Sequence, residues 1–369
     1  MKVLQILPEL NSGGVERGTV QVADFLVREG HEALVVSNGG RLVPVLKECG
    51  VRHVAMAVHK KSPLSFLKIA PLRRLLREER PDILHARSRV PAWIAWLAWK
   101  GLPPGNRPHF VTTVHGFYSI NFYSGIMTRG ERVIAVSDSI RQYILENYRR
   151  TPPGVIRVIH RGVTAEDFPR GYRPSPEWLA QWTREQPRLS NRRVLLLPAR
   201  LTRWKGQEDF LRLIASLKAE GEPVHGLLAG EVRQNKQSFL DELRALATRL
   251  GIADDVTFLG HRNDLREVMA VSDIVLSLSR DPEAFGRVTL EAAALGRPVV
   301  GYSHGGVREQ LEIIYPAGLV TLGDHTGLVD VVRRQLRSPE MPTEIKPPFT
   351  RESMCRATLD TYAELLGNG

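Results

Sequence analysis

Cysteine is almost missing from this chain. Two residues, Cys49 and Cys355, cannot build a disulfide framework or a structural zinc site, so a reducing cytoplasm is the expected compartment. No His/Cys cluster has metal-ligand spacing and no Asp-x-Asp occurs, so no metal is expected. Long apolar runs are lacking too. The longest, residues 90–99, is too short to cross a bilayer and suits a core or interfacial helix. The first ten residues have no cleavable-signal organisation, and their short apolar run reads as a strand. A Gly-x-Gly-x-x-Gly fingerprint is absent, as are solenoid repeats and low-complexity segments.

What is present is an ordinary globular composition in a chain long for one domain: 369 residues, 43% hydrophobic and 25% charged. The net charge of +11 is unevenly spread, for residues 1–170 hold 25 Lys and Arg against 14 Asp and Glu, and the remainder balances. Such asymmetry calls for an anionic partner of the first half, either membrane or nucleic acid. No helix-turn-helix, RRM or KH signature accompanies it, so nucleic acid is not expected.

Strand and helix patterns alternate through both halves. In the first, residues 3–7, 32–37, 83–85, 111–114 and 133–136 read as strands, with a helix near 17–29 and amphipathic helices between the others. In the second, strands are expected at 194–198, 224–229, 256–259, 274–278 and 299–301, with helices at 206–220, 236–250 and 287–295. This rhythm predicts parallel sheets with right-handed crossovers, hence two Rossmann-like doubly wound α/β domains. The boundary falls within 162–191, giving domains 1–165 and 166–350, and a last helix at 352–366 follows a Pro-rich stretch. Ligands of open α/β sheets bind beyond the carboxyl ends of the strands, so candidate residues are sought there.

Gly13-Gly14 follows the first strand and opens a helix, where close backbone approach and free N–H groups suit an anion. Arg200 ends a strand and Lys205-Gly206 begins a helix, a pairing that can cradle a diphosphate. Glu283, Phe285, Gly286, Arg287 and Glu291 form the sharpest signal. Glu283 lies in the loop after a strand, Gly286 permits the turn, and Glu291 stands among small apolar residues where its carboxylate needs a partner such as ribose hydroxyls. Each has a plainer reading as a turn, a surface pair or a helix-dipole acid.

Taken in order, Gly13-Gly14-x-Glu16, His115-Gly116, Val136-Ser137-Asp138-Ser139, Arg200-x4-Lys205-Gly206, Phe258-Leu259-Gly260, Glu283-x7-Glu291 and Gly305-Gly306-x-x-Glu309 resemble the GT-B retaining glycosyltransferases of family 4. The resemblance covers nearly the whole chain. It implies that Gly14 offers its N–H to the donor phosphate and that His115 sits near the transferred sugar. It further implies that Arg200 and Lys205 bind the diphosphate and stabilise the leaving group. Glu283 would hold sugar hydroxyls beside the Phe285–Arg287 amides, Glu291 the ribose, and the backbone at His261 and Arg262 the base. The last helix would cross back to complete the first domain as 351–369. No cofactor is implied beyond the nucleotide-sugar substrate, with UDP the favoured nucleotide, and the acceptor would be a lipopolysaccharide-type or other membrane-associated glycan or glycolipid. Arg161, Thr164 and Ala199 depart from the common pattern of Asn, Asp and Gly at those places. An epimerase of the same fold and a non-catalytic binding protein are the competing classes.

Three further features are weighed. His85 ends a strand and reads as a structural histidine, and Trp93, Trp96 and Trp99 read as core packing on one helix. Residues 64–80 interleave apolar positions with cations, interrupted by Pro71. Lys60, Lys61, Lys68, Arg73, Arg74 and Arg77 are the candidates for docking to the inner face of an anionic membrane.

Overall fold

The computed structural model describes residues 1–11, 13–231 and 237–367. They divide into two compact units, Met1–Gly162 with Pro348–Gly369, and Val163–Pro347. Each cut falls three residues before the boundary read from sequence.

In the first unit seven strands form one parallel sheet: β1 (Lys2–Ile6), β2 (Glu32–Ser37), β3 (Arg52–Ala55), β4 (Ile83–Ala86), β5 (His109–Val114), β6 (Arg132–Ala135) and β7 (Ile156–Val158). Their spatial order is β3-β2-β1-β4-β5-β6-β7. The order reverses between β1 and β4, which pair in register Gln5 to His85 and Ile6 to Ala86. The inner strands are buried along their length, as a sheet covered on both faces requires. Helix Gly14–Arg28 presents Phe25 and Leu26 to the same core that Met354, Cys355, Leu359 and Tyr362 of helix Arg351–Leu365 fill from the other end of the chain. That last helix belongs to the first unit. Thr350 caps its start by accepting from the Ser353 N–H, and Arg351 and Arg356 pair with Asp24 and Glu29.

The second unit holds six parallel strands: β8 (Arg193–Pro198), β9 (Val224–Ala229), β10 (Val256–Gly260), β11 (Ile274–Ser277), β12 (Val299–Tyr302) and β13 (Leu319–Val320), ordered β10-β9-β8-β11-β12-β13. Its reversal lies between β8 and β11. Helix Gln207–Ala219 lays Phe210, Leu211, Leu213, Ile214 and Leu217 on this sheet, all fully buried. Each contributes about 1.5–3 kcal/mol of burial, and Phe210→Ala is expected to cost about 3–5 kcal/mol.

Both units are thus doubly wound parallel α/β domains, the fold class expected from the alternating pattern. Several details differ. The first helix begins at Gly14, three residues earlier than read, directly on the glycine turn. The start of the helix expected at 236 lies outside the described residues, and the helix is seen as Gln237–Arg249. Pro71 does not interrupt anything, since it occupies the first turn of helix Ile69–Glu79, where its missing N–H costs nothing. A helix, Pro176–Glu185, stands in the stretch read as a boundary, capped by Ser175 and carrying the stacked pair Trp178 and Trp182. No helix among the described residues is long and apolar enough to cross a membrane.

Candidate active site

In the second unit the candidates gather where the strand order reverses, the place where a doubly wound sheet opens a crevice. The chain leaves β8 through Arg200 and a short turn to Lys205. It then enters helix Gln207–Ala219 through Gly206, whose φ of +74° and close approach to the Leu278 carbonyl leave no room for a side chain. That approach ties the loop after β8 to the loop after β11, and the ammonium of Lys205 meets the carboxylate of Glu283 at 2.8 Å. The same carboxylate oxygen accepts from Ser279 Oγ at 2.5 Å, and Lys205 Nζ also lies 4.1 Å above the Trp204 ring. Arg200 is exposed, and its side chain makes no bond among the described residues. Its carbonyl is held by Gln207 Nε2 at 3.0 Å.

The loop bearing Glu283 is fastened from behind. Gly306 N–H donates to the Glu283 carbonyl at 2.8 Å, and Gln310 Nε2 donates to the Phe285 carbonyl. A methyl group on Gly305 would come within 2.7 Å of the Glu283 carbonyl, and one on Gly306 within 2.5 Å of Phe285 Cα. The two glycines are what lets helix Gly305–Ile314 press on this loop. Phe285 is buried, Gly286 turns the chain at φ +82°, and helix Arg287–Ala294 starts with no side chain capping its N–H groups. A helix start without a side-chain cap favours an anion.

Glu291 has a partner within its own helix. Arg287 Nη2 donates to Glu291 Oε1 at 2.8 Å, so the buried carboxylate is satisfied without a ligand, contrary to the need argued from its apolar neighbours. His261 is exposed and contacts Asn263, just beyond Gly260 at the end of β10. The Arg262 side chain turns away into a structural network. It donates to Asp264 at 2.7 Å and stacks 5.4 Å from the Trp182 ring, while Trp178 Nε1 donates to Asp264 at 2.8 Å. Burial raises the Asp264 carboxyl, but the bonds from Arg262 and Trp178 outweigh it and leave it below its ordinary value.

In the first unit Gly13 and Gly14 stand where the expectation put them, opening helix Gly14–Arg28 after β1, with no side-chain cap on its first N–H groups. His115 follows β5. Its Nδ1 lies 2.6 Å from Arg161 Nη2, a donor under all conditions, so Nδ1 accepts and the ring proton resides on Nε2. That Nε2 is buried and without a partner. Burial first, then the charges of Arg161 and Arg87, hold His115 well below its ordinary pKa, and the ring is neutral. His85 is fully buried with both nitrogens engaged, at 2.7 Å to Tyr362 Oη and 2.6 Å to Thr113 Oγ1, which makes it a structural histidine. Arg87 was not singled out from sequence, although it follows β4 just as His115 follows β5.

Other expectations are corrected. Trp93, Trp96 and Trp99 are half-buried rather than core. Trp93 and Trp99 bond the Tyr123 and Pro108 carbonyls, Arg129 lies over Trp93 and Trp96, and Lys100 lies over Trp96. Arg73 is spent on the Leu97 and Ala98 carbonyls, closing the end of helix Arg89–Lys100, and Arg74 pairs with Glu78. Lys60, Lys61 and Lys68 flank a turn whose Leu64, Phe66 and Leu67 are 71%, 46% and 70% exposed. The first unit holds 26 Lys and Arg against 15 Asp and Glu, and the second 25 of each, so the whole excess of +11 belongs to the unit with this turn.

Residues 12–167 match the family model described as Glycosyltransferase Family 4, and residues 180–347 match that of Glycosyl transferases group 1. Over 350 residues the chain is 26% identical to N-acetyl-alpha-D-glucosaminyl L-malate synthase of Bacillus anthracis, covering 90% of this chain and 87% of that protein. Among solved structures it is similar to a glycosyltransferase from Rickettsia africae ESF-5, with 31% identity, a TM-score of 0.84 and coverage of 100% of this chain and 99% of that one. HepE from Anabaena, solved with UDP and glucose, shares the fold at 22% identity and a TM-score of 0.74 over 100% of this chain and 95% of its own.

Proposed function

Because this chain belongs to the GT-B glycosyltransferases of family 4, we propose that it is a retaining, metal-independent enzyme that moves a hexose-type sugar from a nucleoside-diphosphate sugar, UDP being favoured, to a membrane-associated glycan or glycolipid. One observation carries the reading. Lys205 and Glu283, delivered from the loops after β8 and β11, meet at 2.8 Å across the reversal point, with exposed Arg200 on the same loop as Lys205.

The chemistry follows from what such groups can do. When the bond between the anomeric carbon and the β-phosphate oxygen breaks, negative charge grows on the diphosphate. Lys205 and Arg200, with the uncapped N–H groups of helix Arg287–Ala294, form a fixed positive surround for that charge. Glu283, already held by Ser279, offers oxygens to sugar hydroxyls, and the leaving diphosphate is positioned to take the proton of the attacking acceptor hydroxyl on the same face. The Gly286 turn brings the Arg287 amide close to the sugar, and Glu291 would exchange its Arg287 partner for ribose hydroxyls. Taken within the first unit, Gly13, Gly14 and the neutral His115, with its proton on Nε2, are groups suited to hydrogen-bond phosphate or sugar oxygens. His261 and the Arg262 backbone meet the base.

The acceptor side rests on charge and shape. Leu64, Phe66 and Leu67 project from a turn flanked by Lys60, Lys61 and Lys68, on a unit carrying all the excess charge. That suits shallow insertion into an anionic leaflet, where each cation contributes about 1 kcal/mol. A lipid-linked cell-envelope glycan of the lipopolysaccharide type is the acceptor class consistent with it. The test is a panel of UDP-, GDP- and ADP-sugars incubated with the full chain and lipid-linked acceptors, with chromatographic detection of nucleoside diphosphate and glycosylated product. Release of UDP coupled to acceptor glycosylation supports the reading, and interconversion of nucleotide sugars without an acceptor contradicts it.

A further inference from the structure

The loop after β5 presents two large apolar side chains to solvent, Ile120 at 62% and Phe122 at 73% exposed. The loop is firmly held. Trp93 Nε1 donates to the Tyr123 carbonyl at 2.9 Å, the Ser124 N–H to Asn121 Oδ1 at 2.9 Å, and Tyr143 Oη to the Tyr118 carbonyl. The guanidinium of Arg89 lies over the rings of Tyr118 and Tyr123. The fold therefore keeps Ile120 and Phe122 out in water, and an apolar pair fixed there marks a contact surface.

Beside the pair, within the first unit, a cleft of about 740 Å³ runs between the turn Ser124–Thr128 and the end of helix Asp138–Asn147, a size that suits a bound small molecule. Three arginines line it, Arg129, Arg149 and Arg150, against one acid, Glu146, which already accepts from Gln142 Nε2 at 2.8 Å. All three are exposed, and none of their side chains makes a hydrogen bond or ion pair among the described residues. Arg129 is nevertheless fixed. Its guanidinium carbon lies 5.6, 4.8 and 5.3 Å from the ring centres of Trp93, Trp96 and Phe122. A guanidinium held over rings keeps its N–H edge free, which is how paired donors are presented to phosphate oxygens. Arg129 precedes β6, and Arg149 and Arg150 precede β7. The cleft thus lies toward the amino ends of these strands, away from the carboxyl ends that carry Gly13 and His115.

We propose that this cleft binds the terminal phosphate or diphosphate of a lipid whose hydrocarbon chain lies against Ile120 and Phe122, anchoring the enzyme to a lipid-linked substrate at a point away from the reacting sugar. Charge selects this occupant. A phosphodiester headgroup carries a single negative charge, fewer than three arginines can match. A terminal phosphate carries about −1.5 to −2, and a diphosphate more. The site rests on the reading of the first unit as working at a membrane, and it names the lipid chemistry recognised there.

Calorimetry and tryptophan fluorescence on the full chain decide it. The probes are farnesyl diphosphate and inorganic pyrophosphate, at constant ionic strength with saturating UDP present, and phosphatidylglycerol vesicles in flotation. Farnesyl diphosphate is expected to bind despite the UDP and to change tryptophan emission, because Trp93 and Trp96 lie under Arg129. Arg129→Gln, and Arg149→Gln together with Arg150→Gln, should each weaken it by about tenfold or more. Ile120→Ser should weaken farnesyl diphosphate and leave pyrophosphate, the weaker ligand, unchanged. These positions are exposed, so each variant should keep the wild-type Tm. No binding of farnesyl diphosphate, equal affinity in the arginine variants, pyrophosphate binding as tightly, or displacement by UDP would overturn the proposal. So would loss of vesicle flotation in Arg129→Gln with no farnesyl diphosphate bound by wild type, which would give the arginines to bulk headgroups. Farnesyl diphosphate bound by a wild type that does not float would support the site and remove the membrane reading, so the two failures are distinguishable.

Discussion

Glu283 Oε1 lies 2.8 Å from Lys205 Nζ, although 77 intervening residues separate the two, because Gly206 lets the loop after β8 press on the backbone that leaves β11. The ion pair spans the point where the strand order reverses. Each partner holds the other in position before any ligand arrives, and Ser279 supplies the third corner.

Removing the acid separates binding from chemistry. Glu283→Ala leaves the Lys205 ammonium and the Ser279 hydroxyl without their partner, at an expected cost of about 2 kcal/mol, or a fall in Tm of roughly 5 °C. The freed ammonium remains available to a diphosphate. UDP should therefore bind this variant as tightly as wild type, by calorimetry, while turnover falls by about 100-fold. Loss of UDP binding in step with turnover would place Glu283 on the nucleotide rather than on the sugar.

Three histidines set the acid limit of stability. Burial holds His85 and His115 well below the ordinary value of 6.5, and it brings His225 down to about 4. Each is neutral in the folded state while the unfolded chain protonates at 6.5, so the unfolded state binds more protons as pH falls. Stability is full above pH 6.5 and is lost on acidification towards pH 4, by about 1.4 kcal/mol per pH unit for each histidine. His225→Gln should reduce the slope of unfolding free energy against pH by about one proton over that window, measured by urea titration. An unchanged slope would mean that His225 titrates normally in the folded chain.

Cations of the first unit divide into two groups with different readouts. Arg73 closes a helix through the Leu97 and Ala98 carbonyls, so Arg73→Ala should cost about 1 kcal/mol of stability and leave vesicle binding largely intact. Lys60, Lys61 and Lys68 lie beside the exposed Leu64, Phe66 and Leu67. Their joint replacement by glutamine should abolish flotation with anionic vesicles at low salt without lowering Tm. Wild type should detach at about 0.5 M salt and ignore neutral lipid. Equal recovery on neutral lipid would make the apolar turn, not the charge, the anchor.

The sequence was most readable where burial is complete. The strands β8 and β9 announce themselves as Val-Leu-Leu-Leu and as an unbroken buried run, because a parallel sheet covered on both faces tolerates little else. The short edge strands escaped: β3 is Arg-His-Val-Ala and only half-buried, and β13 has two residues, too few to show a period. Lys205 and Glu283 could be picked out because each lies in a loop beyond the carboxyl end of a strand, whereas His115 entered through the family resemblance alone. Not every partner could be picked out. Nothing local says that Arg161 will bond His115 46 residues earlier in the chain, whereas the Arg287–Glu291 pair, four apart on a helix read at 287–295, was open to a local reading and was missed. Arg87 was missed since Ala-Arg-Ser after a strand looks like any surface arginine until the fold buries it.

Retention is expected because Glu283-x7-Glu291 resembles the retaining pattern, and metal independence because Arg200 and Lys205 can stabilise the diphosphate in a metal's place. NMR of the first product formed should show the donor's anomeric configuration retained, and initial rates should be unchanged by EDTA. An inverted anomer, or activity abolished by EDTA and restored by magnesium or manganese, would require a different catalytic arrangement.

The most direct test of the central claim is single-turnover kinetics of Arg200→Ala and Lys205→Ala with a UDP-sugar and acceptor, alongside thermal unfolding of each variant. Both variants should stay folded and lose on the order of 100-fold in kcat, about 2.7 kcal/mol of transition-state stabilisation. Near-wild-type turnover in both, with folding intact, would show that the pair at the strand reversal is not where the diphosphate leaves.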